Sequence, residues 1–164
     1  MHRPTLHLTN LSSSRQHGPG RLLSAMARPP RHVVDAVQGF VFEAGPAADD
    51  NRWIIGLKRE GKLTDEDVGF YRDFTKARFE VIARDDGYLP ELLGYAAETN
   101  LRTKVGPVEG GDTLVCTCPR KDSPRRTHEC HLEWLAPFLV EAGWRVVLYG
   151  EEFANEQGGA RCAS

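Results

Sequence analysis

Apolar and polar residues alternate over Thr5-Leu-His-Leu-Thr9, the two-residue period of a strand, so a first short strand is expected there. A polar, turn-rich segment runs from Asn10 to Gly20. A second apolar run, Arg21-Leu-Leu-Ser-Ala-Met26, is stopped by Pro29 and Pro30. Between Arg31 and Asp50, Val33, Val34, Val37, Phe40 and Val41 fit a helical stripe, weakened by Gly39 and ended by Gly45-Pro46. Trp53-Ile-Ile-Gly-Leu57 is apolar, but too short for periodicity to separate helix from strand. The clearest helix follows Gly61. Thr64-Asp-Glu-Asp67 reads as a capping box with acidic residues where the helix dipole favours them. Phe70, Phe74, Ala77 and Val81 then recur on one face, and Asp85-Asp-Gly87 breaks the pattern. Pro90 fits the first turn of another helix, with Leu89, Leu92, Leu93 and Ala96 as its stripe.

Further along, Glu109-Gly-Gly-Asp112 reads as a turn and Thr113 to Cys116 as the best strand candidate. After a basic loop, Leu132, Leu135, Leu139 and Ala142 define a helix that Pro137 should kink or tighten and Gly143 should cap. Trp144 to Tyr149 is the last expected strand. Strand, loop, helix and strand in that order predict a parallel pair joined by a right-handed crossover. The chain thus predicts a single α/β domain over residues 1–155, with a flexible C-terminal tail over 156–164. Its architecture is a three-layer sandwich around a mainly parallel sheet of four or five strands.

Bulk composition narrows the function classes. With 40% hydrophobic and 27% charged residues the chain has the make-up of an ordinary globular protein. A net charge of −2 gives no global field to recruit nucleic acid or a membrane, so any anion must be held by a local patch. No apolar stretch approaches the roughly 20 residues that span a bilayer. The opening residues Met1 to Leu8 lack an apolar leader, so a cytoplasmic location is expected. There are four cysteines, without the density of a disulfide scaffold, and reduced thiols are expected. Cys162 lies in the Gly-rich tail and reads as incidental.

The other three cysteines fall in Cys116-Thr-Cys118 and His128-Glu-Cys-His131. Alternation along a strand would turn Cys116 and Cys118 to the same face. Cys116, Cys118, His128, Cys130 and His131 are five possible zinc ligands, but the spacing is not the paired Cys-x-x-Cys of a finger, and it assigns no metal by itself. A second reading is nucleophilic. Cys130, in the expected first helical turn from Thr127, should have a lowered pKa, with Cys118 as the other candidate and His128 or His131 as the base. A free cysteine is more commonly a small apolar filler. A third reading is anion binding. Arg120, Lys121, Arg125 and Arg126 stand against Asp122 in a loop that runs into a helix N-terminus, where N–H groups suit a phosphate. The plain alternative is a solvated charged loop, and no Gly-rich phosphate fingerprint is present. Asn10 and Ser12 to Ser14 follow the first strand, and Arg28 and Arg31 the second. A doubly wound sheet brings such strand ends to one edge.

Taken in order, these segments resemble the domain of unknown function 488 family, small Rossmann-like α/β proteins. The resemblance is carried by Leu6-His-Leu-Thr-Asn10 with Leu22-Leu-Ser-Ala-Met-Ala-Arg-Pro-Pro30. Asn51-Arg-Trp-Ile-Ile-Gly-Leu-Lys-Arg-Glu-Gly61 with the helix bearing Tyr71 adds to it, as does Leu114-Val-Cys-Thr-Cys118 with Glu129-Cys-His131. One departure is Leu132, which stands where the family pattern has an arginine after Cys-His. The resemblance implies a Rossmann-like fold and a shared pocket but brings no chemistry. The leading expectation is therefore a phosphate- or nucleotide-sized ligand at the sheet's C-terminal edge, bound by Asn10, Arg28, Arg120, Arg125 and Arg126. Cys118, His128, Cys130 and His131 would do any chemistry, and the cofactor is unspecified. A zinc-stabilised binding or interaction module using the same residues is the alternative. A nucleic-acid-processing accessory protein is a third reading that the net charge argues against.

Overall fold

The computed structural model of the chain describes residues 2–26, 29–41, 52–94, 96–97, 104–118 and 130–155. In chain order the elements are β1 (Thr5–Asn10), β2 (Leu22–Ser24), α1 (Arg31–Val34), β3 (Gly39–Val41), α2 (Arg52–Arg59) and α3 (Asp65–Ala83). There follow α4 (Tyr88–Gly94), β4 (Ala96–Ala97), β5 (Lys104–Gly106), β6 (Thr113–Cys116), α5 (His131–Glu141), β7 (Arg145–Leu148) and β8 (Glu151–Glu152). The strands form one mixed, mostly parallel sheet in the order β5-β4-β3-β2-β6-β1-β7-β8. Strands β3, β2, β6, β1 and β7 are the parallel centre, which matches the expected strand number. The short antiparallel strands β4, β5 and β8 extend its two edges.

The order corrects one expectation. The strands before and after α5 are not neighbours, because β1 lies between them. Leu8 is in register with Leu114 of β6 on one side and Leu148 of β7 on the other. Central strands of a parallel sheet are covered on both faces by the connecting elements, and β6 is accordingly buried throughout and β1 at most positions. Pleating then divides the core. Leu114 and Cys116 join Leu6, Leu8, Leu23 and Val146 beneath Leu132, Leu135 and Leu139 of α5 and Phe79 of α3. Val115 points the other way and packs with Val33 and Val37, flanked by Leu11, Leu22 and Met26.

The chain from Arg31 is one helical turn followed by a strand, because Gly39-Phe-Val41 pairs beside β2 instead of continuing the stripe. Trp53 to Leu57 resolves as part of α2. Helix α3 starts where expected, with the Thr64–Asp67 capping box formed, but its stripe faces outward. Phe70, Phe74 and Val81 are 63%, 50% and 73% exposed, whereas Thr75, Phe79 and Ala83 are buried. Both sets recur at helical spacing, and only packing selects between them. Phe79 meets Tyr88, Trp134 and Phe138, while Phe70 meets Trp53 of α2 and stacks on Phe74.

The end of α5 sets the approach to β7. Gly143, at φ +95°, donates to the Val140 carbonyl (3.1 Å), and Trp144 donates to that of Leu139 (3.0 Å). That paired pattern is a Schellman stop, which requires the left-handed backbone that glycine supplies. Tyr149 and Gly150, both at positive φ, make the two-residue hairpin into β8. The loop between β1 and β2 lies close against the turn before β6. A side chain at Gly18 would stand 2.4 Å from the His7 ring and 2.5 Å from the Gly111 carbonyl. Among the described residues no helix is long and apolar enough to cross a membrane.

Candidate metal centre

Strand β6 ends at Cys116, whose side chain lies on the Leu114 face, under α5. The strand does not reach Cys118, so shared pleating does not relate the two thiols. The chain bends after Cys116 and leaves Cys118 half-buried at the sheet edge. Cys130 is the N-cap of α5, in extended backbone geometry (φ −74°, ψ 141°), and the helix begins at His131. This corrects the placement of Cys130 inside a first turn from Thr127. The strand end and helix start thus meet, and the Sγ atoms of Cys116, Cys118 and Cys130 all lie within 4.8 Å of one another. Cys116 and Cys130 lie 3.1 Å apart.

Backbone and side-chain hydrogen bonds hold this edge. Asn10 is in register with Cys116, and its Nδ2 donates to the Cys118 carbonyl. Its Oδ1 accepts from the Ser12 N–H (2.9 Å) and the Ser12 hydroxyl (2.8 Å). Asn10 therefore positions the Cys118 backbone, and its amide is engaged within the protein rather than presented to a ligand. Leu11 N–H donates to the Cys116 carbonyl (2.9 Å), tying the β1–β2 loop to the same strand end. His131 Nε2 lies 3.0 Å from the carbonyl oxygen of Ala25, just past β2, and Nδ1 lies 4.0 Å from Cys130 Sγ.

Electrostatics reverse the expectation for Cys130. Its hydrogen bonds with Cys116 and Cys118, together with burial, push its thiol well above the ordinary value. The hydrogen bond with Cys118, with burial adding to it, pushes Cys116 up to about 12. A helix N-terminus does favour a thiolate. Here desolvation and two adjacent sulfurs outweigh it, with Cys130 only 1% exposed and Cys116 2%. Neither buried thiol is a ready nucleophile for an external substrate. Three converging sulfurs are instead a donor set able to hold a soft cation, whose charge would offset the cost of ionising them together.

Of the residues singled out in the sequence, Cys118, Cys130 and His131 come together. Asn10 shares their edge with its side chain engaged. Arg28, Arg120, Arg125, Arg126 and His128 lie outside the described residues. Cys116, counted in the sequence among the possible zinc ligands but not among the candidate nucleophiles, lies in the same cluster. Ser12, expected at this edge because it follows the first strand, acts there as a donor to Asn10, and nothing local in the sequence pointed to the Ala25 carbonyl. An open groove of about 930 Å³ lies elsewhere, between α3, α4 and α5, and is lined by Lys76, Glu80, Arg84, Asp85 and Trp134 among others. None of the three cysteines lines it. Comparison with family models, curated proteins and solved structures finds no match to the chain.

Proposed function

We propose that the protein is a zinc-stabilised α/β binding module of Rossmann-like architecture, with Cys116, Cys118 and Cys130 holding the ion at the C-terminal edge of the parallel sheet. The observation that carries this reading is the convergence of three Sγ atoms within 4.8 Å. Zinc–sulfur bonds of about 2.3 Å at tetrahedral angles place sulfurs about 3.8 Å apart. Cys116 and Cys130 lie 3.1 Å apart and no pair of the three exceeds 4.8 Å, so shifts of about an ångström or less accommodate one ion. A reducing compartment belongs to the proposal, because thiols this close are readily oxidised otherwise.

The test is metal analysis of protein purified under reducing, chelator-free conditions, followed by zinc titration of the stripped protein. The expected result is one zinc per chain, lost in a Cys116→Ser/Cys130→Ser double variant. Protein that remains metal-free after zinc titration, with its thiols reduced, overturns the reading.

A phosphate- or nucleotide-sized anion at the same edge remains a companion proposal. It rests on Arg120, Arg125 and Arg126 in the segment joining Cys118 to the α5 start, together with Arg28. Its test is a thermal-shift titration with inorganic phosphate and nucleotides, in which a bound anion raises the melting temperature by mass action. An unchanged melting temperature at millimolar anion rejects the companion proposal and leaves the zinc reading standing.

A further inference from the structure

We infer that the outer face of α3 is a docking surface for a second copy of the chain, whose own α3 packs alongside it in parallel. The inference stands apart from the thiol centre, since it uses none of the three cysteines.

Among the described residues, the exposed large hydrophobic side chains are Trp53 and Ile55 of α2 and Phe70, Phe74, Val81 and Ile82 of α3. A single exposed apolar residue is ordinary, but a set gathered on two neighbouring helices marks an interaction face. Along α3 the set has a definite order. Phe70, Phe74, Ala77 and Val81 are all exposed and stand four, three and four residues apart. That is the roughly 3.5-residue repeat by which one helix lies along another, so the spacing specifies a helical occupant. The domain's own core already takes the opposite face of α3, through Thr75, Phe79 and Ala83. Ring contacts hold the outer face in shape. Phe70 stacks on Phe74 with centroids 6.1 Å apart, and Trp53 meets Phe70 edge-on at 6.0 Å. Anchors fixed beforehand lose little rotamer freedom on docking.

The charges beside the stripe choose both the occupant and its direction. Asp73 and Glu80 flank it on one side and Arg78 on the other. In a parallel pair, a residue on one flank faces the residue five positions further along the opposite flank of the other helix. Asp73 of each copy then meets Arg78 of the other, which is the self-complementarity a twofold interface requires. An antiparallel pair sets like flank against like and brings Asp73 to Glu80. Asp73 also contacts Arg72 of its own chain at 3.1 Å, an exposed pair that contributes little and can yield. The stripe covers only about three helical turns, so the dimer is weak and its population follows concentration.

Analytical ultracentrifugation of the full chain under reducing conditions, where no disulfide links copies, tests this directly. Wild-type protein is expected to pass from monomer to dimer as its concentration rises to about 0.5 mM. Phe74→Glu should weaken the dimer at least about tenfold, as loss of a central anchor does. Asp73→Arg and Arg78→Asp should each weaken it roughly three- to tenfold, and the two together should restore it. Below the dissociation concentration the stripe faces water, so substitutions along it leave the monomer's stability near that of wild type. Wild-type protein that stays monomeric throughout, or a dimer indifferent to Phe74→Glu, overturns the inference. Strengthening by Asp73→Arg overturns the parallel arrangement. Wild type alone gives a further check that no misfolded variant can obscure. Its amide NMR shifts should change with concentration in α2 and α3, and changes confined to other elements overturn the assignment of this face.

Discussion

Asp112 is 2% exposed and accepts from the Arg21 N–H (2.9 Å), Nε (3.2 Å) and Nη2 (2.6 Å) and from the Glu109 N–H (2.9 Å). Burial alone would raise its carboxyl pKa, but these hydrogen bonds and the Arg21 charge outweigh it and hold the value below the ordinary one. Asp112→Ala should therefore lower stability by about 3 kcal/mol in chemical denaturation, since it strands a guanidinium and two backbone donors. A depressed folded-state pKa adds stability that is present above the unfolded value of about 3.9 and lost as pH falls through the folded value. Wild type should lose stability more steeply than Asp112→Ala as the pH drops below about 4. Thiol alkylation gives a second check. In metal-free protein Cys118, half-buried, should react well before Cys116 and Cys130, as peptide mass mapping would show. The thiol motifs were visible in the sequence at this scale because they are local. The Arg21–Asp112 pair was not, since its partners meet only through strand pairing. The raised pKa of Cys130 was hidden because neighbouring residues name a helix start without revealing its burial.

Helix α3 illustrates what an element's pattern leaves open. Thr64 accepts from the Asp67 N–H (3.2 Å), and Asp67 accepts from that of Thr64 (3.0 Å), so the start was readable from four residues. Thr64→Ala should lower stability by about 1 kcal/mol. The inward face was not readable, because two stripes satisfy the same period and the deciding contacts come from α4 and α5. Equilibrium unfolding of two variants tests which stripe is inside. Phe79→Ala should lower stability by about 3–5 kcal/mol, and Val81→Ser should stay within about 0.5 kcal/mol of wild type. Comparable losses in both would contradict the orientation of α3. The hairpin into β8 was missed for another reason. Tyr149 adopts positive φ (52°), which only the adjacent Gly150 hints at in sequence.

For the whole molecule, alternation of strands and helices was enough to predict a mostly parallel α/β sheet, but strand order depends on pairings that sequence spacing does not encode. The proposed ion ties the β6 end to the α5 start, so stripping it should lower the melting temperature of the entire domain in calorimetry, with zinc restoring it. The position of β1 bears on how the chain is made. Leu8 lies between Leu114 and Leu148, so β1 has neither neighbour until more than a hundred further residues have followed it. At a synthesis rate of 5–20 residues per second, that wait is on the order of 5–20 s on the ribosome. During it, the apolar edge of Leu6 and Leu8 has no sheet to enter. Nascent chains stalled just before Thr113 should therefore remain protease-sensitive and bind chaperones, and acquire protection only once β6 and β7 have emerged.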